Sequence, residues 1–90
     1  MADRGYRVRG YVQGVGFRWW TRREADRLGV VGWVRNLPDG SVETVVSGDA
    51  KNVDRMLEWF ETGSPMSHVS KVIIETVSPQ SHFNNFIIKY

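Results

Sequence analysis

The sequence contains no cysteine and no long apolar run, and each of these absences excludes a class of protein. Without cysteine there is no disulfide, no thiolate nucleophile and no cysteine-ligated metal site. A phosphatase that works through a phosphocysteine intermediate is therefore excluded. No apolar run approaches the roughly 20 residues that a membrane-spanning helix needs, and the first residues lack the apolar segment of a secretory signal. We therefore expect a cytoplasmic protein.

Clusters of metal-binding or acid–base residues are also missing. The two histidines, His68 and His82, lie fourteen residues apart in or beside predicted loops, and no spacing supplies the further ligands that a metal would need. Asp39 and Glu43 could form an acid pair, but a turn and a solvent-facing strand position explain them more simply. The sequence therefore predicts neither a metal nor a cofactor.

The positive charge of the chain is concentrated in its first part. Residues 1–35 hold eight arginines and three acidic residues, a net charge of +5, whereas the remainder carries −3. Such a charge distribution would attract anions or a nucleic acid, and solvated helix and strand faces explain it equally well. The 90 residues suffice for one domain with a single core, over residues 1–90, and we expect a monomer.

Hydrophobic patterns predict the element order β-α-β-β-α-β followed by an additional strand. Residues 1–5 are interpreted as a frayed terminus, and the alternation from Tyr6 onward predicts the first strand. Helix formers at 19–28 with a glycine cap predict the first helix, and an apolar stripe behind Asp49 predicts the second. The remaining predicted strands are 30–36, 41–47, 69–77 and 86–90, with breaks at Leu37-Pro38-Asp39-Gly40 and Ser78-Pro79.

This order predicts an α+β fold of the ferredoxin-like type. Two helices with one apolar stripe each can cover one face of an antiparallel sheet. Right-handed crossovers then lead us to expect the first and fourth strands in the middle of the sheet, with the second strand near the first. Because unrelated proteins share this fold, the fold alone does not indicate a function.

The segment from Gly14 to Arg18 lies where the first strand ends and the first helix begins. Its two glycines permit backbone angles that let successive N–H groups point into one concavity. The start of a helix adds unpaired N–H groups and a positive dipole end, and Arg18 adds a planar fork of donors. The pattern indicates a phosphate-binding loop formed by Gly14, Val15, Gly16, Phe17 and Arg18. A tight strand-to-helix connection with a surface arginine is the simpler alternative.

Asn36 ends the second predicted strand, before the turn of the hairpin. In a right-handed β-α-β unit its side chain could face Arg18. An amide both donates and accepts hydrogen bonds, which suits holding a water against a phosphate. A turn-forming role is the alternative.

Two stretches of the chain resemble the signatures of the acylphosphatases. Residues 8–18, from Val8 to Arg18, resemble the first signature, and Gly32 to Asn36 with Gly40, Val42 and Gly48 resembles the second. No motif position departs from the pattern. The resemblance implies a small, metal-free hydrolase of acyl phosphates with a ferredoxin-like fold. It also implies that Arg18 and the 14–18 backbone hold the phosphoryl group and that Asn36 positions the attacking water.

The chemistry of an acyl phosphate agrees with those roles. The leaving group is a carboxylate, whose conjugate acid has a pKa of about 4, so it departs without a general acid. The remaining tasks are to bring water in line and to stabilise charge on the phosphoryl oxygens. Since asparagine cannot act as a base, we infer that a phosphate oxygen accepts the proton. Inorganic phosphate, as the product, should inhibit competitively.

Two other functions are compatible with the same fold. An RNA-binding module would use Arg7, Arg9 and Tyr11 on the open sheet face, but the fourth strand lacks the aromatic residues that a stacking platform needs. A non-catalytic anion sensor would not require an amide at position 36. Whether Trp19, Trp20 and Trp33 pack in the core or line the mouth of the site is left open by the sequence.

Overall fold

The computed structural model describes residues 2–77 and 83–90, and these form five strands and two helices. The elements in chain order are β1 (Ala2–Tyr11), α1 (Phe17–Leu28), β2 (Val31–Asn36), β3 (Val42–Gly48), α2 (Ala50–Thr62), β4 (His68–Glu75) and β5 (Phe86–Lys89). The predicted α+β, ferredoxin-like sandwich is confirmed. The predicted break at Ser78-Pro79 and the loop position of His82 lie outside the described residues. No helix within the described ranges is long and apolar enough to cross a membrane.

The lateral order of the strands is β4-β1-β3-β2-β5. The prediction that β1 and β4 occupy the centre and that β2 lies next to β1 is wrong, because the β2–β3 hairpin returns β3 into the gap that the β1-α1-β2 crossover leaves open. β1 and β3 are therefore the central pair. The pairings among β1, β2, β3 and β4 are antiparallel as expected, and the additional strand β5 pairs parallel with β2, so the whole sheet is mixed.

β1 begins at Ala2, before the predicted start at Tyr6. Ala2 pairs with Gly48 and Asp3 with Ser47, and the Ser47 hydroxyl donates a hydrogen bond to the Asp3 carboxylate. Residues 2–5 are therefore part of the sheet rather than a frayed end, because β3 is long enough to pair with them.

The core lies between the sheet and the two helices. α1 packs over β2 and β5, and α2 packs over β1, β3 and β4. The predicted stripe of α2 is confirmed, with Val53, Met56 and Phe60 fully buried and Leu57 partly buried against them. The Phe60 ring lies 5.2 Å from that of Tyr6 on β1, so the stripe joins helix to sheet.

Both predicted caps are present at the helix ends. The carboxylate of Asp49 accepts a hydrogen bond of 3.0 Å from the Lys51 N–H at the start of α2. Gly29 ends α1 in the left-handed conformation, with φ 72° and ψ 23°, and its N–H reaches the carbonyls of Ala25 and Asp26. These caps fix where α1 ends and where α2 begins.

Candidate active site

The loop between β1 and α1 turns through two left-handed glycines. Gly14 has a φ of 75° and Gly16 a φ of 74°. A Cβ atom on Gly14 would meet nothing within 4 Å, and one on Gly16 would meet the Trp20 ring at an ordinary 3.6 Å. The glycines are thus required by the backbone angle rather than by lack of space. The first hydrogen bond of α1 runs from the Trp20 N–H to the Gly16 carbonyl at 3.0 Å. The N–H groups of residues 17–19 therefore have no acceptor within the helix.

Arg18 and Asn36 line one cavity of about 150 Å³. This cavity lies at the start of α1, beside the ends of β2 and β5, and its walls are Val12, Gly16, Phe17, Arg18, Trp19, Asn36, Ile88 and Tyr90. Of the predicted site residues, Gly16, Phe17, Arg18 and Asn36 are therefore brought together. Gly14 and Val15 do not line the cavity, since Gly14 is exposed and Val15 packs against the core.

The side chain of Arg18 contacts the last two residues of the chain, at and just after the end of β5. Nη1 of Arg18 donates to the main-chain carbonyl of Lys89 at 3.4 Å, and the guanidinium carbon lies 4.8 Å from the centre of the Tyr90 ring. A guanidinium has five N–H donors. One contact with a carbonyl therefore leaves most of the fork available for the oxygens of an anion in the cavity.

Asn36 has a buried carbonyl oxygen without a hydrogen-bond donor. Within the described residues no N–H or O–H group reaches its Oδ1 atom. A buried acceptor left without a donor costs about 1–3 kcal/mol. Asn36 is the last residue of β2, and the residue as a whole borders the cavity although this oxygen is buried.

Gln13, which the sequence reasoning did not single out, links the loop to the hairpin. Its Nε2 donates to the carbonyls of Leu37 at 2.7 Å and Ser41 at 2.8 Å. The available signal was an amide side chain directly before the first glycine, but its partners lie far along the chain. Ile88 and Tyr90 were likewise assigned to a strand and not to the site.

The three tryptophans left open by the sequence lie in three different places. Trp19 lines the cavity and is 55% exposed. Trp20 is half-buried, with the Arg23 guanidinium 5.1 Å from its ring. Trp33 is half-buried next to Lys89 and Arg35, whose charged groups lie 4.3 and 5.3 Å from its ring. Neither Trp20 nor Trp33 borders the cavity, so Trp19 is the tryptophan that an acyl group could contact there.

Charged residues on the sheet face away from the helices form a ladder across the strands. Arg35 pairs with Glu43 at 2.6 Å, and Arg7 lies 3.9 Å from Glu43 and 3.5 Å from Glu75. Because residues alternate between the two faces of a strand, Arg35 points away from its neighbour Asn36. Glu43 is thus an ion-pair partner, and Arg7 is engaged in ion pairs rather than presented as part of a free basic platform.

Asp39 stabilises the hairpin turn. Its carboxylate accepts hydrogen bonds from the Ser41 N–H at 2.9 Å and from the Ser41 hydroxyl. These hydrogen bonds, with a smaller contribution from Arg7 and Arg9, lower the pKa of Asp39 below its usual value. Asp39 and Glu43 therefore have separate structural roles. In residues 2–77 and 83–90 no group of three or more His, Asp or Glu could hold a metal ion.

Comparison with known proteins covers almost the whole chain and not the cavity alone. Residues 4–88 match the sequence profile of the family described as Acylphosphatase. The chain is 50% identical over 74 residues to an acylphosphatase of Thermococcus kodakarensis, covering 82% of this chain and 81% of that protein. It is 51% identical over 80 residues to one of Paraburkholderia xenovorans, covering 89% and 82%. The crystal structure of acylphosphatase from Bacillus subtilis superimposes with a TM-score of 0.94 at 34% identity, covering 100% of both chains.

Proposed function

Because the chain belongs to the acylphosphatase family and hydrolyses acyl phosphates, we propose that Arg18 and the N–H groups of the 14–18 loop, of which residues 16–18 line the cavity, bind the phosphoryl group while Asn36 holds the attacking water. The observation that carries this division of roles is the shared cavity of Arg18 and Asn36, residues from α1 and β2. A cation and an amide acceptor on one cavity wall are the groups that an anionic substrate and a water require.

The place of the Asn36 carboxamide, at the end of β2 on the cavity wall, supports its role toward water. A water that hydrogen-bonds to this carboxamide directs a lone pair away from the asparagine and toward the phosphorus. Holding the water in this orientation replaces a random encounter with a fixed approach. Asn36 thus contributes geometry and does not remove a proton.

The reaction balances without a protein base. The water oxygen forms a bond to phosphorus while the bond from phosphorus to the carboxylate oxygen breaks, and the electron pair leaves with the carboxylate. The water proton passes to a phosphoryl oxygen of the substrate, so the products are a carboxylate and inorganic phosphate. Arg18 and the helix N-terminus stabilise the charge on the equatorial phosphoryl oxygens. Because this leaving group needs no help, the reaction proceeds without a resident metal.

Three further properties follow as part of the proposal. Inorganic phosphate occupies the same loop as the substrate phosphoryl group and inhibits competitively. The active unit is a monomer formed by one domain over residues 1–90. The enzyme acts in the cytoplasm on a small-molecule acyl phosphate, with no nucleic acid partner.

Separate substitution of Arg18 and Asn36 tests the division of roles. In Asn36→Ala we expect kcat for acetyl phosphate to fall by about 100-fold or more, with the inhibition constant of inorganic phosphate changed by less than about threefold. In Arg18→Ala both kcat and phosphate inhibition should be lost, because the charge that binds the anion is gone. The exposed residues Asn84 and Arg22 supply the control variants Asn84→Ala and Arg22→Ala, which should keep both parameters.

Two outcomes would contradict the proposal. Equal loss of phosphate inhibition in Asn36→Ala and Arg18→Ala would remove the distinction between binding and water positioning. Loss of wild-type activity in the presence of a chelator would show that the reaction needs a metal. A non-catalytic anion sensor, in contrast, would bind phosphate, and neither the wild type nor any of the variants would hydrolyse acetyl phosphate.

A further inference from the structure

We propose that Gln13 is a positioning residue, which sets the distance between the phosphate-binding loop and Asn36. Gln13 directly precedes Gly14, and its two acceptors belong to Leu37, which directly follows Asn36, and to Ser41. The inference rests on the proposed roles of Arg18 and Asn36. It adds a residue that does not border the cavity.

The hydrogen bonds of Gln13 join two segments and do not form the turn itself. The turn already has its own main-chain bonds, from Gly40 N–H to Leu37 carbonyl at 3.1 Å and from Leu37 N–H to Ser41 carbonyl at 2.9 Å. Gln13 uses both hydrogens of its amide on the same two carbonyls, at 2.7 and 2.8 Å. Removal of these donors therefore leaves each carbonyl with a main-chain donor, and the turn keeps its shape.

The strand ladder cannot hold the loop against the hairpin at this point. The pairing of β1 with β3 ends at Val8 opposite Val42, and from Arg9 to Tyr11 the described pairing of β1 is with β4. Val42 of β3 pairs with both Val8 and Asn36, so the main-chain ladder reaches Asn36 from Val8, but the described pairing gives no such link from the residues of β1 after Val8. The Gln13 side chain bridges this gap, while the two left-handed glycines that follow give the loop no stiffness of their own.

The length of this bridge matters because the reaction depends on the position of the water relative to the phosphorus. Misplacement by about 1 Å costs on the order of 100-fold in rate. Phosphate binding depends on Arg18 and the loop N–H groups, which move together with the start of α1. A loosened bridge therefore lowers kcat and leaves phosphate binding nearly unchanged.

Gln13→Met tests this role, because methionine keeps the length of the side chain and removes both donors. We expect kcat for acetyl phosphate to fall by about 10- to 100-fold, with the phosphate inhibition constant within about threefold of wild type. Gln13→Glu, which also lacks the two donors at neutral pH, should show the same split. Ser67→Ala is the matched control, since it removes a half-buried side-chain bond to the Ser64 carbonyl at 2.8 Å, and it should keep kcat.

A double variant shows whether Gln13 acts through Asn36. In the Asn36→Ala background, Gln13→Met should lower kcat by less than about threefold, because the group that it positions is absent. The inference about Gln13 is overturned if the two substitutions lower kcat by factors that multiply in the double variant. It is also overturned if Gln13→Met keeps wild-type kcat while Asn36→Ala is impaired. In both cases the proposed function stands. Wild-type kcat in Asn36→Ala would instead overturn the proposed function. Failure of both Gln13 variants to fold at the assay temperature, measured by circular dichroism, would show a structural role and also overturn the inference.

Discussion

Gly16 and Gly29 stand at the two ends of α1 in nearly the same backbone conformation. Their φ and ψ angles are 74° and 16° at the first position and 72° and 23° at the second. Neither position is crowded, since an added Cβ would meet the Trp20 ring at 3.6 Å in one case and nothing within 4 Å in the other. Only Gly16 borders the cavity. Substitution of each glycine in turn therefore separates two effects of a side chain in the left-handed conformation, its cost to protein stability and its effect on the cavity.

Alanine at either position should destabilise the protein by about 1–2 kcal/mol, because a Cβ disfavours the left-handed conformation. Gly16→Ala should also lower kcat/KM for acetyl phosphate by about 10-fold or more, since relief of that strain moves the loop N–H groups. Gly29→Ala should keep kcat/KM within about twofold, as it lies at the far end of α1. Urea unfolding and steady-state kinetics measure the two effects. Equal activity in both variants would show that the loop tolerates the shift.

The sequence identifies some site residues and misses others for a physical reason. Arg18 and Gly16, which line the cavity, are recognisable because a charge and a strand-to-helix turn are local features of the sequence. Gln13 is not recognisable in this way, because its hydrogen-bond partners lie 24 and 28 residues away along the chain. Its distance from them in space depends on where the pairing of β1 with β3 ends. The positions of Trp19, Trp20 and Trp33 also depend on tertiary neighbours, which periodicity does not encode.

At the scale of elements, local signals predict the helices better than they predict the sheet. The stripe of α2, the Asp49 cap and the Gly29 cap are all properties of a few neighbouring residues. Strand order is not, because each strand has a similar alternating pattern and any of them could pair with β1. The insertion of β3 between β1 and β2, and the parallel pairing of β5, are decided by packing of the whole sheet.

The turn between β2 and β3 should make stability depend on pH through Asp39. Its folded-state pKa lies below its usual value because Ser41 donates hydrogen bonds to the carboxylate. The stabilisation is therefore complete above the unfolded pKa of about 3.9 and is lost as the pH falls through the lower, folded-state pKa. In Asp39→Asn, which cannot ionise, the deficit in the free energy of unfolding relative to wild type should be largest near pH 6 and shrink at acid pH.

Urea unfolding of wild type and Asp39→Asn at pH 6 and near pH 3 measures this deficit. Both proteins share all other titrating groups, so the difference between them isolates residue 39. A deficit that stays constant over this pH range would show that ionisation of Asp39 does not stabilise the turn.

At the scale of the whole molecule, the cavity reaches the core through Phe17, which packs against Phe60 of α2, but α2 itself lies behind the cavity walls. Met56 of α2 is fully buried, whereas α2 contributes no residue to the cavity. Met56→Ala should lower the free energy of unfolding by about 2–5 kcal/mol, because it leaves a void in the core. The kcat of the folded protein should not change.

Met66→Ala is the matched control, since Met66 is 70% exposed and its truncation should leave stability within about 0.5 kcal/mol of wild type. Urea unfolding gives the first quantity, and kcat measured where Met56→Ala is folded gives the second. A fall in kcat under those conditions would show that α2 and the site are mechanically coupled.

The order in which the cavity walls occur along the chain bears on biosynthesis. Translation proceeds from the N-terminus, so both signature motifs emerge from the ribosome well before residues 86–90. Ile88 and Tyr90 complete the wall, and the Lys89 carbonyl is the acceptor that orients Arg18. A nascent polypeptide that has reached residue 85 therefore carries Arg18 and Asn36 without the walls that Ile88 and Tyr90 supply, and we expect hydrolysis to begin only after β5 has docked.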